Sequence, residues 1–488
     1  MDALSQVYAT SLALHTDLYQ LTMAYAAWKS GADQREAVFH LFYRRNPFQG
    51  GYAVACGIET ALQLIERFRF DESDLSYLAT LKGANGADLF EPAFLDYLRG
   101  LRLECQVDAV REGTMVFPHE PLMRVQGPVI GCMLLETPLL NLVNFQTLIA
   151  TKAARVNLAA GGESVLEFGL RRAQGVDGGL SATRASYVGG CDSTSNVLAG
   201  KIYGIPVRGT HAHSWVMLHD TELESFRAYA AALPNNCVFL VDTYDTLEGV
   251  RHAVTVGQEL RATGHELLGI RLDSGDLAYL SIEARKILDQ GGFPQAKVFA
   301  SNELDEQVIT SLKQQGATIT VWGVGTKLAT AYDDAALGGV YKLSATRLPG
   351  QPWQYRIKLS EQAIKVNNPG IHQIRRFRQD GENIADMIYD VEKGPSGVLI
   401  DPLDPTRQKA IPPGASFEDL LVPAFRDGQR VLPTEPLSEA RARCQDQLGH
   451  FHAGIKRFIH PHQYPVGLEQ ALHEHKLALI LKARGVRS

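Results

Sequence analysis

Gly209-Thr210-His211-Ala212-His213-Ser214 sets two histidines one residue apart, just past the apolar pair Pro206-Val207. Imidazoles at that spacing can bind a metal as a pair. Alternatively, one acts as nucleophile or acid–base group while the other supports it, or both are hydrogen-bonded loop residues. No third histidine or cysteine lies nearby, which weakens a zinc site. Arg271-Leu272-Asp273-Ser274-Gly275-Asp276 combines a guanidinium, two carboxylates and a glycine. That set suits a phosphorylated or Mg²⁺-bound substrate: carboxylate oxygens are hard ligands, and a guanidinium grips phosphate by two parallel bonds. The plainer alternative is an acidic turn that caps the next helix. Trp322-Gly323-Val324-Gly325-Thr326-Lys327 is glycine-rich and precedes a helix, so it reads as a phosphate loop or as a tight turn. Ala300-Ser301-Asn302-Glu303 offers small polar groups that line a site or cap a helix. In Glu167-Phe168-Gly169-Leu170-Arg171-Arg172, Phe168 could stack on an aromatic anion and Arg171 or Arg172 neutralise it. The competing reading is a core phenylalanine with surface arginines.

All of these lie at the ends of short apolar runs. Seven such runs occupy Val165–Gly169, Tyr187–Asp192, Pro206–Ser214, Val238–Asp242, Leu268–Asp276, Val298–Asn302 and Ile319–Gly325. Strands that are apolar throughout are covered on both faces, as in a parallel α/β barrel, where chemistry sits past the C-terminal strand ends. Tyr341–Leu343 is a candidate eighth strand.

Around this stretch the pattern differs. Helices are expected at Asp17–Trp28, Ile58–Phe68 and Thr137–Leu158, the last with Thr137 as cap and Pro138 at its first position. Strands are expected at Ala37–Tyr43, Cys105–Arg111, Leu122–Gln126 and Gly131–Leu135. After Pro349 more strands are expected at Gln354–Leu359, Gln373–Arg378, Asn383–Tyr389 and Gly397–Ile400. Pro402–Phe417 reads as a linker and Ser438–Leu448 as a helix. A barrel does not need the late strands, so they are expected to return to the early ones. The fold class is thus an irregular TIM-like α/β barrel plus a discontinuous α/β sandwich domain built from N- and C-terminal segments. The expected divisions are 1–136, 137–345 and 346–488.

With 488 residues, the chain is long enough for two or three domains. A net charge of −6 argues against a general nucleic-acid or membrane-surface binder. Six scattered cysteines without a C-x-x-C pair read as reduced thiols of a cytoplasmic protein. No signal-peptide pattern opens the chain, and no apolar run approaches the ~20 residues of a spanning helix. Rossmann, P-loop and nucleophile-elbow patterns are absent, and no strand-end lysine suits Schiff-base chemistry.

Taken together, the motifs resemble the nicotinate phosphoribosyltransferase family. The resemblance also rests on Thr16–Met23, Phe42-Tyr43-Arg44-Arg45-Asn46-Pro47-Phe48, Lys365–Gly370 and Pro461-His462-Gln463-Tyr464-Pro465-Val466-Gly467. It covers nearly the whole chain. It implies the joining of nicotinate to 5-phosphoribosyl-1-pyrophosphate, giving nicotinate mononucleotide and pyrophosphate, with Mg²⁺ and with ATP as co-substrate. It further implies that ATP phosphorylates His213, while His211 occupies a variable position and receives no role. Tyr19, from the second subunit of a homodimer with shared sites, and Phe168 would sandwich the pyridine ring. Arg171 would meet the ring carboxylate or a phosphate. Arg271 and Asp273 would hold ribose and pyrophosphate, with Asp273 toward Mg²⁺. Ser301, Asn302, Gly323, Gly325 and Thr326 would line the ribose 5′-phosphate, and Arg44 would reach pyrophosphate or ATP. Nicotinamide-using relatives carry an aspartate where alignment through Thr194-Ser195-Asn196 puts Ser195, so the acid is the expected substrate. The alternatives are a nicotinamide-using enzyme, or a non-catalytic relative that binds a phosphosugar or nucleotide.

Overall fold

The computed structural model describes residue 8 and residues 11–486. The chain forms two compact units: one from Lys152–Ala335, the other from the segments on either side of it.

The central unit contains a six-stranded parallel sheet. Its strands are β1 (Ser164–Glu167), β2 (Ser193–Thr194), β3 (Val238–Leu240), β4 (Gly269–Leu272), β5 (Lys297–Ala300) and β6 (Val321–Val324). They run in the order β2-β1-β6-β5-β4-β3. Beyond β2 the sheet gains only a parallel bridge, Thr194 to Val207. The result is an irregular α/β barrel. Strand interiors are buried, as the unbroken apolar runs require: Val165, Phe239, Ile270 and Val324 are fully enclosed.

Four helices that follow strands start at side-chain caps. Asn196 accepts the Ala199 N–H, Asp245 that of Glu248, Asp276 that of Tyr279, and Asp305 those of Gln307 and Val308. Each cap satisfies backbone donors that the first helical turn leaves free.

Several sequence expectations are corrected here. Tyr187 and Val188 end the helix Gly175–Val188, so the second run is a helix terminus and the strand starts only at Ser193. The Pro206–Ser214 run contributes one bridge rather than a strand. Tyr341–Leu343 lies in the strand Gly339–Arg347, which pairs antiparallel with Glu36–Tyr43 in the other unit and is no eighth barrel strand.

The flanking segments form two sheets. In the seven-stranded sheet, Glu36–Tyr43 lies between Gly339–Arg347 and Met123–Pro128, and Gln106–Ala109 pairs with Val422–Arg426. Early and late segments thus share one sheet, as expected of a discontinuous domain. The six-stranded sheet is built from late strands alone, including His372–Gln379, Glu382–Asp390 and Val466–Glu469. Most late strands therefore pair with one another. Gly131–Leu135 is not a strand, since Val129–Leu134 is helical. Thr137 is no cap: its helix runs Glu136–Ala160, and its hydroxyl donates to Asp17 at 3.0 Å. The expected linker contains the strand Gln408–Ala410 and the start of Ser416–Asp419. Val129–Ala160 is long and apolar enough for a membrane span, and half of its apolar window is buried inside the protein.

The Pro461–Gly467 motif anchors this unit. The Tyr464 hydroxyl donates to Asp386 at 2.9 Å, and Asp386 pairs with buried Arg376 at 2.6 Å. Burial and the neighbouring Asp386 push the Glu120 carboxyl well above its ordinary range.

Candidate active site

The C-terminal ends of β3, β4 and β5 bring together groups far apart in sequence. Arg271, at the end of β4, donates from Nη1 to Thr210 Oγ1 at 2.9 Å, from Nε to Ser301 Oγ at 2.9 Å, and from Nη2 to Asp273 Oδ1 at 3.0 Å. The Ser301 hydroxyl also donates to Asp273. Burial raises the Asp273 pKa, but the Ser301 hydrogen bond and the Arg271 guanidinium outweigh it and hold this carboxyl below its usual range. It is therefore ionised at neutral pH.

His213 opens the helix His213–Met217. Its Nδ1 lies 3.1 Å from the Thr243 hydroxyl. Its Nε2 is 3.8 Å from Asp242 Oδ1 and 3.8 Å from Asp273 Oδ2. Two carboxylates beside Nε2 favour the tautomer that keeps its proton there, so that Nδ1 is unprotonated and accepts from the Thr243 hydroxyl. Asp242 Oδ2 accepts the Asp273 N–H at 2.9 Å and the Ser274 hydroxyl at 2.6 Å. Asp242 Oδ1 is buried without a hydrogen-bond partner among the described residues.

The two carboxylates of the Arg271–Asp276 motif therefore divide. Asp273 faces His213, whereas Asp276 caps the helix Leu277–Gln290. No group of three or more histidine, cysteine or acidic side chains able to hold a metal occurs among the described residues. Mg²⁺ needs less from the protein, since it takes one or two carboxylates plus waters and phosphate oxygens. Asp242 Oδ1 and Asp273 Oδ2 fit that role.

Phe168 follows β1, and the Arg271 guanidinium carbon lies 5.8 Å from its ring centroid. Gly323 is buried in β6, and a Cβ there would meet the Phe168 ring at 2.8 Å. At Gly325 a Cβ would lie 3.2 Å from the Phe168 carbonyl oxygen. These two glycines let the phenylalanine loop settle against β6. Glu167 fixes the same loop from below: it accepts from the Gly169 N–H, from Thr183 Oγ1 at 2.9 Å and from Thr194 Oγ1 at 2.6 Å. Ser195 is half-buried beside it and donates its N–H to the Glu167 carbonyl. Asp192 binds Ser164 Oγ at 2.7 Å and the Val165 N–H at 3.1 Å, at the N-terminal end of β1.

Asn302 and Glu303 follow β5 with φ of 97° and 42°, a left-handed pair of non-glycine residues of the kind that gathers at functional sites. Thr326 donates to Glu303 at 3.3 Å. Lys327 is occupied by Asp305 at 2.6 Å, a structural role. Arg171 is exposed in the short turn after Phe168. A cavity of about 1000 Å³ runs from Ser164, Asn236 and Lys297 at the N-terminal strand ends up to Phe168 and Thr210. Among the expected contact residues it includes Phe168 alone.

Sequence reasoning assigned no role to Asp242, Thr210, Thr243 or Glu167. The usable signal was there: Asp242 is the first charged residue past the apolar run Val238–Val241, the criterion that found Asp273.

Tyr19 and Arg44 belong to the other unit. Tyr19 is 48% exposed on the helix Leu18–Ser30, beside exposed Leu18 and Met23. Arg44 is partly buried, and its Nε has no hydrogen-bond partner among the described residues.

Three models of one family match the chain. These are the nicotinate phosphoribosyltransferase (NAPRTase) N-terminal domain at residues 14–144, the NAPRTase family at 164–351 and its C-terminal domain at 372–476. The nicotinate phosphoribosyltransferase of Bacillus subtilis (strain 168) is 43% identical over 487 residues, covering 96% of this chain and 95% of that protein. The chain belongs to the nicotinate phosphoribosyltransferase family. It is accordingly an enzyme. The Homo sapiens nicotinate phosphoribosyltransferase is 36% identical, with 95% of this chain and 96% of that protein covered. The crystal structure of human nicotinic acid phosphoribosyltransferase superposes with a TM-score of 0.81 at 33% identity, covering 95% of this chain and 99% of that chain. A nicotinate-nucleotide pyrophosphorylase from Pyrococcus furiosus shares the fold, with a TM-score of 0.68 at 21% identity over 90% of this chain and 96% of that one.

Proposed function

We propose that this enzyme transfers the phosphoribosyl group of 5-phosphoribosyl-1-pyrophosphate to nicotinate, with ATP hydrolysis coupled through a phosphohistidine at His213, as a step of NAD salvage. The observation that carries the reading is His213 placed between Thr243 and the carboxylates of Asp242 and Asp273, beside the Arg271–Ser301 network.

In the phosphorylation step, His213 Nδ1 forms the bond to phosphorus and the oxygen bridge to ADP breaks. Nε2 keeps its proton, and the imidazolium charge is met by Asp242 and Asp273. Asp242 and Asp273 would hold Mg²⁺, which would supply charge neutralisation for the phosphates. In the glycosyl transfer the C1–O bond to pyrophosphate breaks and the pyridine nitrogen bonds C1. Little proton transfer is needed, so positioning and charge stabilisation dominate. Arg271 and Asp273 hold ribose and pyrophosphate, and Phe168 stacks on the ring. Ser301, Asn302, Gly323, Gly325 and Thr326 receive the 5′-phosphate end. Arg171 meets the ring carboxylate or a phosphate, and Arg44 reaches pyrophosphate or ATP. The exposed apolar face at Leu18, Tyr19 and Met23 fits a homodimer in which Tyr19 completes the partner's site.

The choice of acid over amide rests on Ser195. Asp192 is the carboxylate that a shifted alignment would put in its place, yet it is tied to Ser164 at the opposite end of β1. With Ser195 beside the end of β1, just before Phe168, and no acidic group contributed by that position, nicotinate meets no like charge there. The test is to compare kcat/KM for nicotinate and nicotinamide, with and without ATP, in wild type and in Ser195→Asp. Preference for nicotinate, reduced by about 10–100-fold in the variant, supports the reading. Equal use of the two bases by the wild type contradicts it.

A further inference from the structure

The barrel has a seam. Strand β3 hydrogen-bonds to β4 on one side only, through contacts such as Val241 N–H to the Arg271 carbonyl. No strand pairs with its other side among the described residues, and Pro206–Arg208, past the far end of the sheet, pairs with Thr194. In a parallel strand alternate N–H groups point to opposite sides, so Leu240 N–H faces the seam. A buried N–H left unpaired there would be destabilising. Its partner is a side chain: Leu240 N–H donates to His211 Nε2 at 3.2 Å.

His211 is enclosed by Phe226 and Tyr229 of the helix Glu222–Ala232 and by Phe239 of β3, with ring centroids 6.0, 5.0 and 6.3 Å away. Burial pushes its pKa down to about 4, so the ring is neutral and can accept. With Nε2 accepting, the proton sits on Nδ1, which faces the Ala212 carbonyl at 3.5 Å. The residue before it, Thr210, accepts from Arg271, and the residue two beyond is His213.

We propose that His211 is a positioning residue for phosphoryl transfer: by bonding the free edge of β3 it fixes the loop that carries Thr210 and His213 against Arg271 and Asp273. This rests on the reading of His213 as the phosphoryl acceptor. The neighbouring histidine thus has a role distinct from metal binding and from acid–base chemistry. Only a side chain that fills an aromatic niche and also presents an acceptor meets both demands. Glutamine reaches the Nε2 position with its carbonyl oxygen, whereas phenylalanine fills the niche without an acceptor.

The experiment uses full-length wild type, His211→Gln, His211→Phe and His213→Ala. Two quantities are measured: single-turnover label transfer from γ-labelled ATP to protein, and amide exchange of the peptide covering Val238–Val241. In His211→Phe, labelling slows by about 10–100-fold, as expected for a misplacement near 1 Å. Leu240 exchange quickens, and KM for nicotinate stays near wild type. In His211→Gln both labelling and exchange return toward wild type. Labelling of His211→Phe at the wild-type rate overturns this inference alone. Equal loss in the Gln and Phe variants overturns it too, because restoring the acceptor would then restore nothing. Absence of label on the wild type overturns the phosphohistidine reading, and this inference with it.

Discussion

Replacing Glu167 with alanine strips a carboxylate from three donors at once. The side chain is 1% exposed, so water does not take over its role. Of the three donors, the Thr183 hydroxyl has an alternative acceptor in the Gly179 carbonyl at 2.9 Å. The Gly169 N–H and the Thr194 hydroxyl have none so close, and each stranded donor costs about 1–3 kcal/mol. Adding the small cavity left by the side chain, Glu167→Ala should lose about 3–6 kcal/mol, a large part of the ~5–15 kcal/mol that ordinarily separates folded from unfolded domains. Glu167→Gln keeps the shape and one accepting oxygen. Its amide can donate to a threonine hydroxyl that turns to accept, so the loss falls to about 1–2 kcal/mol. The same contacts hold the loop of Phe168 and the backbone of Ser195, so KM for nicotinate should rise more than kcat falls. Urea unfolding followed by circular dichroism, with steady-state kinetics on the same preparations, measures both. An alanine variant within 1 kcal/mol of wild type, with unchanged KM, would refute the argument that Glu167 organises this loop.

Other expectations follow from the same geometry. Asp273→Asn should lower kcat by about 10²-fold or more while the protein stays folded, because it weakens the Arg271–Ser301 network at the reacting centre. Asp276→Ala should cost only about 1 kcal/mol of stability and leave kcat nearly intact, with Asp276→Asn restoring the cap; equal kinetic damage at the two positions would contradict their division of roles. Tyr464→Phe should lower the unfolding free energy by about 1–2 kcal/mol through loss of its bond to Asp386, read from the urea midpoint. Burial lowers the Lys476 pKa to about 8. Between that value and the ordinary 10.5 the unfolded chain binds more protons than the folded one, so this group makes stability rise with pH across that window. Lys476→Met should flatten the rise, and an unchanged pH–stability curve would show that Lys476 does not cause it.

The parallel sheet was legible because its strands are enclosed on both faces and read as unbroken apolar runs. The same rule misread Tyr187–Asp192, since the last turn of a buried helix is equally apolar over so short a span. Tyr341–Leu343 was misassigned because a strand does not announce its partner: its register with Glu36–Tyr43 spans some three hundred residues of chain. In the site, residue types pointed to phosphate chemistry, but not to which of two carboxylates faced it. That division depends on Asp276 sitting at a helix start and Asp273 immediately past a strand. Asp242 and Glu167 passed unremarked because a lone carboxylate has no local pattern. Their meaning comes from backbone amides and hydroxyls contributed by other strands and helices.

The central claim is that His213 carries a phosphoryl group between ATP and the coupled synthesis. It is tested most directly by peptide mass spectrometry at neutral to alkaline pH after incubation with ATP and Mg²⁺, and again after adding nicotinate and 5-phosphoribosyl-1-pyrophosphate. The account predicts an acid-labile phosphoryl adduct mapped to His213, absent from His213→Ala and discharged as nicotinate mononucleotide forms. Mononucleotide synthesis at the full ATP-stimulated rate by His213→Ala, or an adduct on another residue, would contradict it.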